Sequence, residues 1–193
     1  MPSIFCNVFL ILALFFSANT LALESEWSND AESQVRLISP ITKNNNQNDF
    51  YLGLEYKLQD GWKTYWKSPG GGGFPQSINW NKSKNIKDIE ILWPTPVNFE
   101  ILGIQSVGYK DDFIFPLKIS LENNTKSSYI FLDINYLVCK DICIPGNASL
   151  ELFIPAGIGN ITKHSFSIEK SLSEIPITNF NLSFLDSATT KIY

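Results

Sequence analysis

The chain of 193 residues is long enough for one domain of ordinary size with an extension, or for two small ones. Apolar residues make up 44% of it and charged residues 18%, proportions that allow a buried core and argue against a disordered chain. The net charge of −4 comes without any basic cluster, which argues against nucleic acid as a partner.

Residues 4–16 form an almost unbroken apolar run, small and polar residues follow, and the first charge is Glu24. The run and the Thr20-Leu21-Ala22 that closes it read as a secretory signal over residues 1–22, with cleavage after Ala22. The segment before the run has no Lys or Arg, so an uncleaved anchor is the rival reading. The run is shorter than the roughly 20 apolar residues a full span needs. Cys6 lies within it, without the small-residue context expected before a lipidated cysteine. Export would place the remaining two of the three cysteines, Cys139 and Cys143, in an oxidising compartment where a disulfide persists.

Residues 23–47 read as a polar, Asn-rich lead-in with one candidate strand at 35–41. From Phe50 the pattern has period two: Phe50, Leu52, Leu54, Tyr56 and Leu58 share one face of a half-buried strand. A second strand starts at Gly61-Trp62 and runs to Trp66. The segment 68–73, Ser-Pro-Gly-Gly-Gly-Gly, breaks regular structure. Further strands are expected at 77–80, 88–92, 113–121, 127–138 and 148–154, separated by turn residues such as Pro94, Pro96, Asn123 and Asn124. Many short strands at this spacing indicate an all-β antiparallel sandwich or barrel. One stretch, 162–174, reads as helix, with Ile161, Ile168, Leu172 and Ile175 near one face and Pro176 closing it. Phe180, Leu182 and Phe184 then alternate like the first strand of a further unit that the chain does not complete.

In Val138-Cys-Lys-Asp-Ile-Cys-Ile-Pro145 the two cysteines are four positions apart. On an extended strand their Cα atoms would be roughly 13 Å apart, whereas a disulfide needs less than about 7 Å. If the two bond, the chain turns between them at a strand end, and Pro145 fits a chain leaving regular pairing. A structural staple is one reading. Closing so short a loop constrains the unfolded chain by only about 2 kcal/mol, against about 4.7 for a hundred-residue loop. The spacing therefore favours a dithiol that cycles, with the staple left open. Lys140 favours a thiolate and Asp141 opposes it. Two thiolates fall short of a four-ligand zinc site. The lone His164, inside the candidate helix, suits a solvated or capping role better than ligation. Without nearby Met or His, copper is also poorly supported. No cofactor is expected.

Gly61-Trp-Lys-Thr-Tyr-Trp-Lys-Ser-Pro-Gly70, Phe74-Pro75 and Trp80 resemble the opening of the amino-terminal domain of the thiol:disulfide interchange protein DsbD. Trp93-Pro-Thr-Pro96, Gly108-Tyr109, Phe115-Pro116 and the cysteine segment continue the resemblance in the right order. The pattern is most similar to a ScsB-like branch, in which a Cys-x-x-x-Cys pair precedes Ile-Pro. The resemblance covers about residues 48–156 and implies an immunoglobulin-like β-sandwich over 48–158, with a helix and the start of a further unit over 159–193. It also implies a periplasmic reductase module. A thioredoxin-like or membrane-embedded redox protein would donate electrons. Periplasmic disulfide proteins such as isomerases, cytochrome c maturation factors or peroxide-handling proteins would accept them. By this resemblance Cys143 attacks and Cys139 resolves. Phe99-Glu-Ile-Leu-Gly103 matches the family's cap loop, so Phe99, Ile101 and Leu102 are candidate lid residues, or core residues of an ordinary strand. Tyr65 falls where the family places an aromatic near the cysteines, or packs in the core. Trp62, Trp66, Trp80 and Trp93 suit core and turn anchors. Gly70–Gly73 lacks the strand-to-helix setting of a phosphate loop. Full-length family members continue into a multi-span membrane domain and a thioredoxin-like domain that are not in this sequence. The alternative function is a non-catalytic immunoglobulin-like binding or assembly module with a structural disulfide.

Overall fold

The computed structural model describes residues 22–176. The apolar run at 4–16, Cys6 and the alternating segment at 180–184 lie outside the described residues. Among the described residues there are ten strands and one helix: β1 (Ser33–Ile38), β2 (Asp49–Leu58), β3 (Lys63–Gly70), β4 (Ser77–Asn79) and β5 (Ile86–Ile91) come first. They are followed by β6 (Val97–Ile101), β7 (Ile104–Lys110), β8 (Phe113–Leu121), β9 (Ser128–Cys139), β10 (Cys143–Ile154) and α1 (Ser165–Ser173).

Two antiparallel sheets stack face to face. One has the strand order β1-β2-β8-β5, the other β10-β9-β3-β7-β6 with β4 added beside β9. The period-two residues meet between them: Phe50, Leu52, Leu54 and Tyr56 of β2 and Phe115, Leu117 and Ile119 of β8 line one wall. Ile130, Leu132, Ile134, Tyr136 and Val138 of β9 and Leu150, Leu152 and Ile154 of β10 line the other. An aromatic group closes one end of this core. Phe115 lies edge-on to Tyr56, Tyr109, Phe113 and Trp93 at centroid separations of 4.8–5.7 Å, the geometry in which a ring edge meets a π face. The described residues form an all-β, immunoglobulin-like antiparallel sandwich with one short helix, as the strand pattern and the resemblance imply.

The lead-in does more than its polarity suggests. Ser25 and Ser28 donate backbone N–H groups to the carbonyls of Leu37 and Val35, and Ser39 donates to Leu23. Residues 23–28 therefore cover the β1 edge, a device that removes a free row of donors and acceptors. The helix packs on the outer face of the first sheet, where Ile168 is buried and the Ser171 hydroxyl donates to the Ile114 carbonyl at 2.6 Å. His164 stands at the N-cap position, but its side chain makes no capping hydrogen bond and does not face solvent. Its ring is 6% exposed and its Nε2 meets the Glu24 carboxylate. Ile161, placed on the helix face by its spacing, precedes the first turn and is 73% exposed.

Element boundaries differ from the sequence expectation in several places: β1 is Ser33–Ile38 rather than 35–41, β5 is Ile86–Ile91 rather than 88–92, and the helix is Ser165–Ser173 rather than 162–174. β3 continues through Pro69 to Gly70 by way of a register shift after Tyr65. The segment 97–110 is a hairpin of β6 and β7. Pairing with β9 begins already at Cys143, with Pro145 opposite Leu137. Pro145 is tolerated because β10 is an edge strand.

Candidate functional site: a hairpin disulfide under an aromatic cover

Strand alternation decides where the cysteines point. On β9 the even-numbered residues from Ile130 to Val138 face the main core, so Leu137 and Cys139 face the opposite way, onto the outer surface of the second sheet. There they join Tyr65 of β3 and Ile101 of β6 in a small separate core, with Phe99 packed against it. This second core lies on the far side of the sheet from the sandwich interior.

β9 and β10 are joined by Lys140, Asp141 and Ile142, and Cys139 stands directly opposite Cys143 in the ladder. The two are disulfide-bonded with their Cα atoms 4.1 Å apart, and the Lys140 N–H donates to the Ile142 carbonyl at 2.9 Å. The turn required by the spacing is present. The two sulfurs have unequal surroundings: Cys139 is 0% exposed, while Cys143 is exposed at the edge.

Tyr65 supplies the polar contact. Its hydroxyl donates to Cys139 Sγ at 3.1 Å and lies 4.0 Å from Cys143 Sγ. Burial raises the pKa of this phenol above its ordinary value, which keeps it protonated and therefore a donor. The ring is held from both sides. Phe99 lies at a centroid distance of 5.9 Å with a 54° tilt. The backbone at Gly73 crosses so close that a Cβ there would be 2.3 Å from ring carbons, in a left-handed conformation (φ +81°) suited to glycine. The glycine-rich segment thus packs against an aromatic ring.

Neither neighbouring lysine turns its charge to the sulfurs. Lys140 Nζ donates to the Asp60 carbonyl at 3.0 Å, and Lys63, opposite Cys139 in the β3–β9 pairing, donates to the Gly61 carbonyl at 2.9 Å.

Of the three candidate lid residues, two reach the site. Ile101 is buried in the small core and Phe99 covers Tyr65. Leu102 instead occupies the β6–β7 turn with φ +53°, followed by Gly103 at φ +77°, and is 69% exposed. Two successive positive φ values are the signature of the two-residue turn that matches strand twist. Sequence reasoning missed Leu137 and Gly73 as parts of the site. The alternation of β9 could have signalled Leu137; the contact of Gly73 depends on a long-range approach of the chain.

A β-sandwich with a short-loop disulfide on its outer face, one sulfur open and one beneath an aromatic cover, defines a domain class associated with thiol chemistry. Residues 34–155 match the family model described as "Thiol:disulfide interchange protein DsbD, N-terminal", and the chain belongs to that family. Among solved structures, it is similar to the N-terminal periplasmic domain of ScsB from Proteus mirabilis at 26% identity and a TM-score of 0.67. That alignment covers 82% of this chain and 62% of the ScsB chain, so the present chain spans less than two thirds of that domain's length. The Neisseria meningitidis DsbD N-terminal domain in the reduced form aligns at 11% identity with a TM-score of 0.34, over 75% of this chain and 91% of that one. No curated protein sequence matches the chain.

Proposed function

We propose that this domain is a periplasmic thiol–disulfide exchange module that carries electrons through the Cys139/Cys143 pair. A thioredoxin-like or membrane-embedded redox protein reduces the pair, and the reduced pair then reduces disulfides in periplasmic proteins. The observation that carries the reading is the asymmetry of the disulfide in a chain of this family: Cys143 is open and Cys139 is enclosed. Cys143 is thus the attacking thiol and the site of the mixed disulfide, and Cys139 resolves it. Phe99 and Ile101 shield the pair between encounters. The periplasmic setting is supported by the apolar segment at residues 4–16, and among the described residues no helix is long and apolar enough to cross a membrane.

A redox titration of the mature domain in dithiothreitol and glutathione buffers tests the reading. The expected potential lies in the range of exchanging disulfides, and a value below about −300 mV marks a structural bond and leaves the domain as a binding module. Trapping separates the two cysteines. Cys139→Ser is expected to retain partners as mixed disulfides through Cys143, whereas retention only by Cys143→Ser reverses the roles.

A further inference from the structure

We infer that Tyr65 is a catalytic residue of the exchange reaction, whose hydroxyl stabilises the thiolate released at Cys139. The inference rests on the exchange role proposed above and adds a chemical part to it. Attack follows from access. A dithiol partner's thiolate approaches Cys143, because Cys139 is fully enclosed. The new bond forms between the partner sulfur and Cys143 Sγ, the Cys139–Cys143 bond breaks, and its electron pair moves onto Cys139 Sγ. The Cys139 thiolate then carries a full negative charge in an apolar enclosure made by Ile101, Leu137 and the Tyr65 ring. Left alone, such burial opposes the anion strongly.

The Tyr65 hydroxyl already stands 3.1 Å from that sulfur and directs its proton to it. A sulfur in a disulfide is a weak acceptor, and a thiolate is a strong one. The bond therefore strengthens as charge develops, which lowers the barrier rather than stabilising the starting state. The proton remains on the phenol, and the second partner thiol attacks its own mixed-disulfide sulfur to release Cys143. The partner dithiol is oxidised and the pair reduced by two electrons. In the outward reaction the same hydroxyl keeps Cys139 ionised, ready to resolve the mixed disulfide at Cys143. Other donors near Cys139 do not compete, because Lys140 and Lys63 are engaged by the 60–61 carbonyls. Phe99 and the Gly73 backbone hold the ring against rotation away from the sulfur.

The test compares the wild-type domain with Tyr65→Phe, which keeps the ring and its packing and removes only the hydroxyl. Two quantities are measured: the thiol pKa of Cys139 in the reduced domain, and the rate of disulfide reduction by dithiothreitol across pH. Loss of a hydrogen bond to a charged group is expected to slow reduction about tenfold or more. It is also expected to move the Cys139 pKa upward by about one unit or more, with no change in the unfolding midpoint of the oxidised domain. In wild type, the Tyr65 ring-carbon resonance beside the hydroxyl should titrate with the Cys139 thiol, a readout that needs no variant. If Tyr65→Phe matches wild type in rate and thiol pKa, or the resonance ignores the Cys139 titration, the role of Tyr65 is wrong. If the wild-type disulfide itself titrates as a structural bond, the exchange reading fails first and independently.

Discussion

Ile101 and Leu102 are adjacent apolar residues with opposite situations. Ile101 fills the small core beneath the cap hairpin, and Leu102 projects from the turn into solvent with a backbone conformation that a side chain with a Cβ adopts at a cost. Ile101→Ala should lower the unfolding free energy by about 2 kcal/mol, the low end for a buried Ile. It should also speed reduction by small thiols, because the shield over Cys139 loosens. Leu102→Asn should do neither harm. Asparagine tolerates left-handed backbone better than leucine, so urea unfolding should show a gain of up to about 1 kcal/mol. Loss of stability in Leu102→Asn would show that the Leu102 side chain makes a contact that the structure does not contain.

At the scale of elements, strands with clean alternation were legible in the sequence, and those whose course is set by distant partners were not. β2 and β8 place their large apolar residues at every second position toward one core, so their bounds follow closely from the residues alone. The β6–β7 hairpin carries no clear strand pattern because its apolar residues are few and divide between a small core and solvent, although Leu102-Gly103 is a turn signal. Pro145 suggests the end of pairing, yet an edge position removes its penalty, and edge status is a property of the sheet rather than of the segment. For the candidate site, the cysteines and their turn were legible from spacing, and the placement of Tyr65, Phe99 and Ile101 beside them from the resemblance. The tie between Glu24 and His164, 140 positions apart, has no local signal. Burial holds the His164 imidazole below its ordinary range even though Glu24 pulls the other way. Burial likewise presses the Glu24 carboxyl upward, but hydrogen bonds from His164 and Lys163 and the charge of Arg36 together hold it below its ordinary range. As pH falls below about 6.5, the unfolded chain takes up a proton that native His164 refuses, and stability drops. Below about 4.5 the unfolded carboxyl protonates while native Glu24 stays ionised, and stability drops further. Melting temperature against pH should therefore fall across both windows in wild type, and His164→Gln should flatten the first window and, by removing one of the groups that hold Glu24 low, weaken the second.

For the whole molecule, what matters is that the disulfide joins two residues already opposed in a continuous ladder. The ladder runs in register from Cys143–Cys139 to Ile154–Ser128, and the sandwich interior lies on the other face of the sheet. Reduction therefore leaves the sandwich intact and removes only the short-loop constraint on the unfolded chain, about 2 kcal/mol. A fold of this size loses about 4–8 °C in melting temperature for that change. A staple between distant strands would remove roughly twice as much and would loosen the sheets. The expected result is that oxidised and reduced domains share one far-ultraviolet spectrum and one set of core methyl resonances. Shifts should be confined to Tyr65, Phe99, Ile101, Leu137 and the 139–143 turn. Such a domain can pass through both redox states at each turnover without refolding, which an electron carrier requires and a stapled scaffold does not provide. A melting difference well above 8 °C, or core resonances that move on reduction, would instead mark the disulfide as part of the framework of the fold.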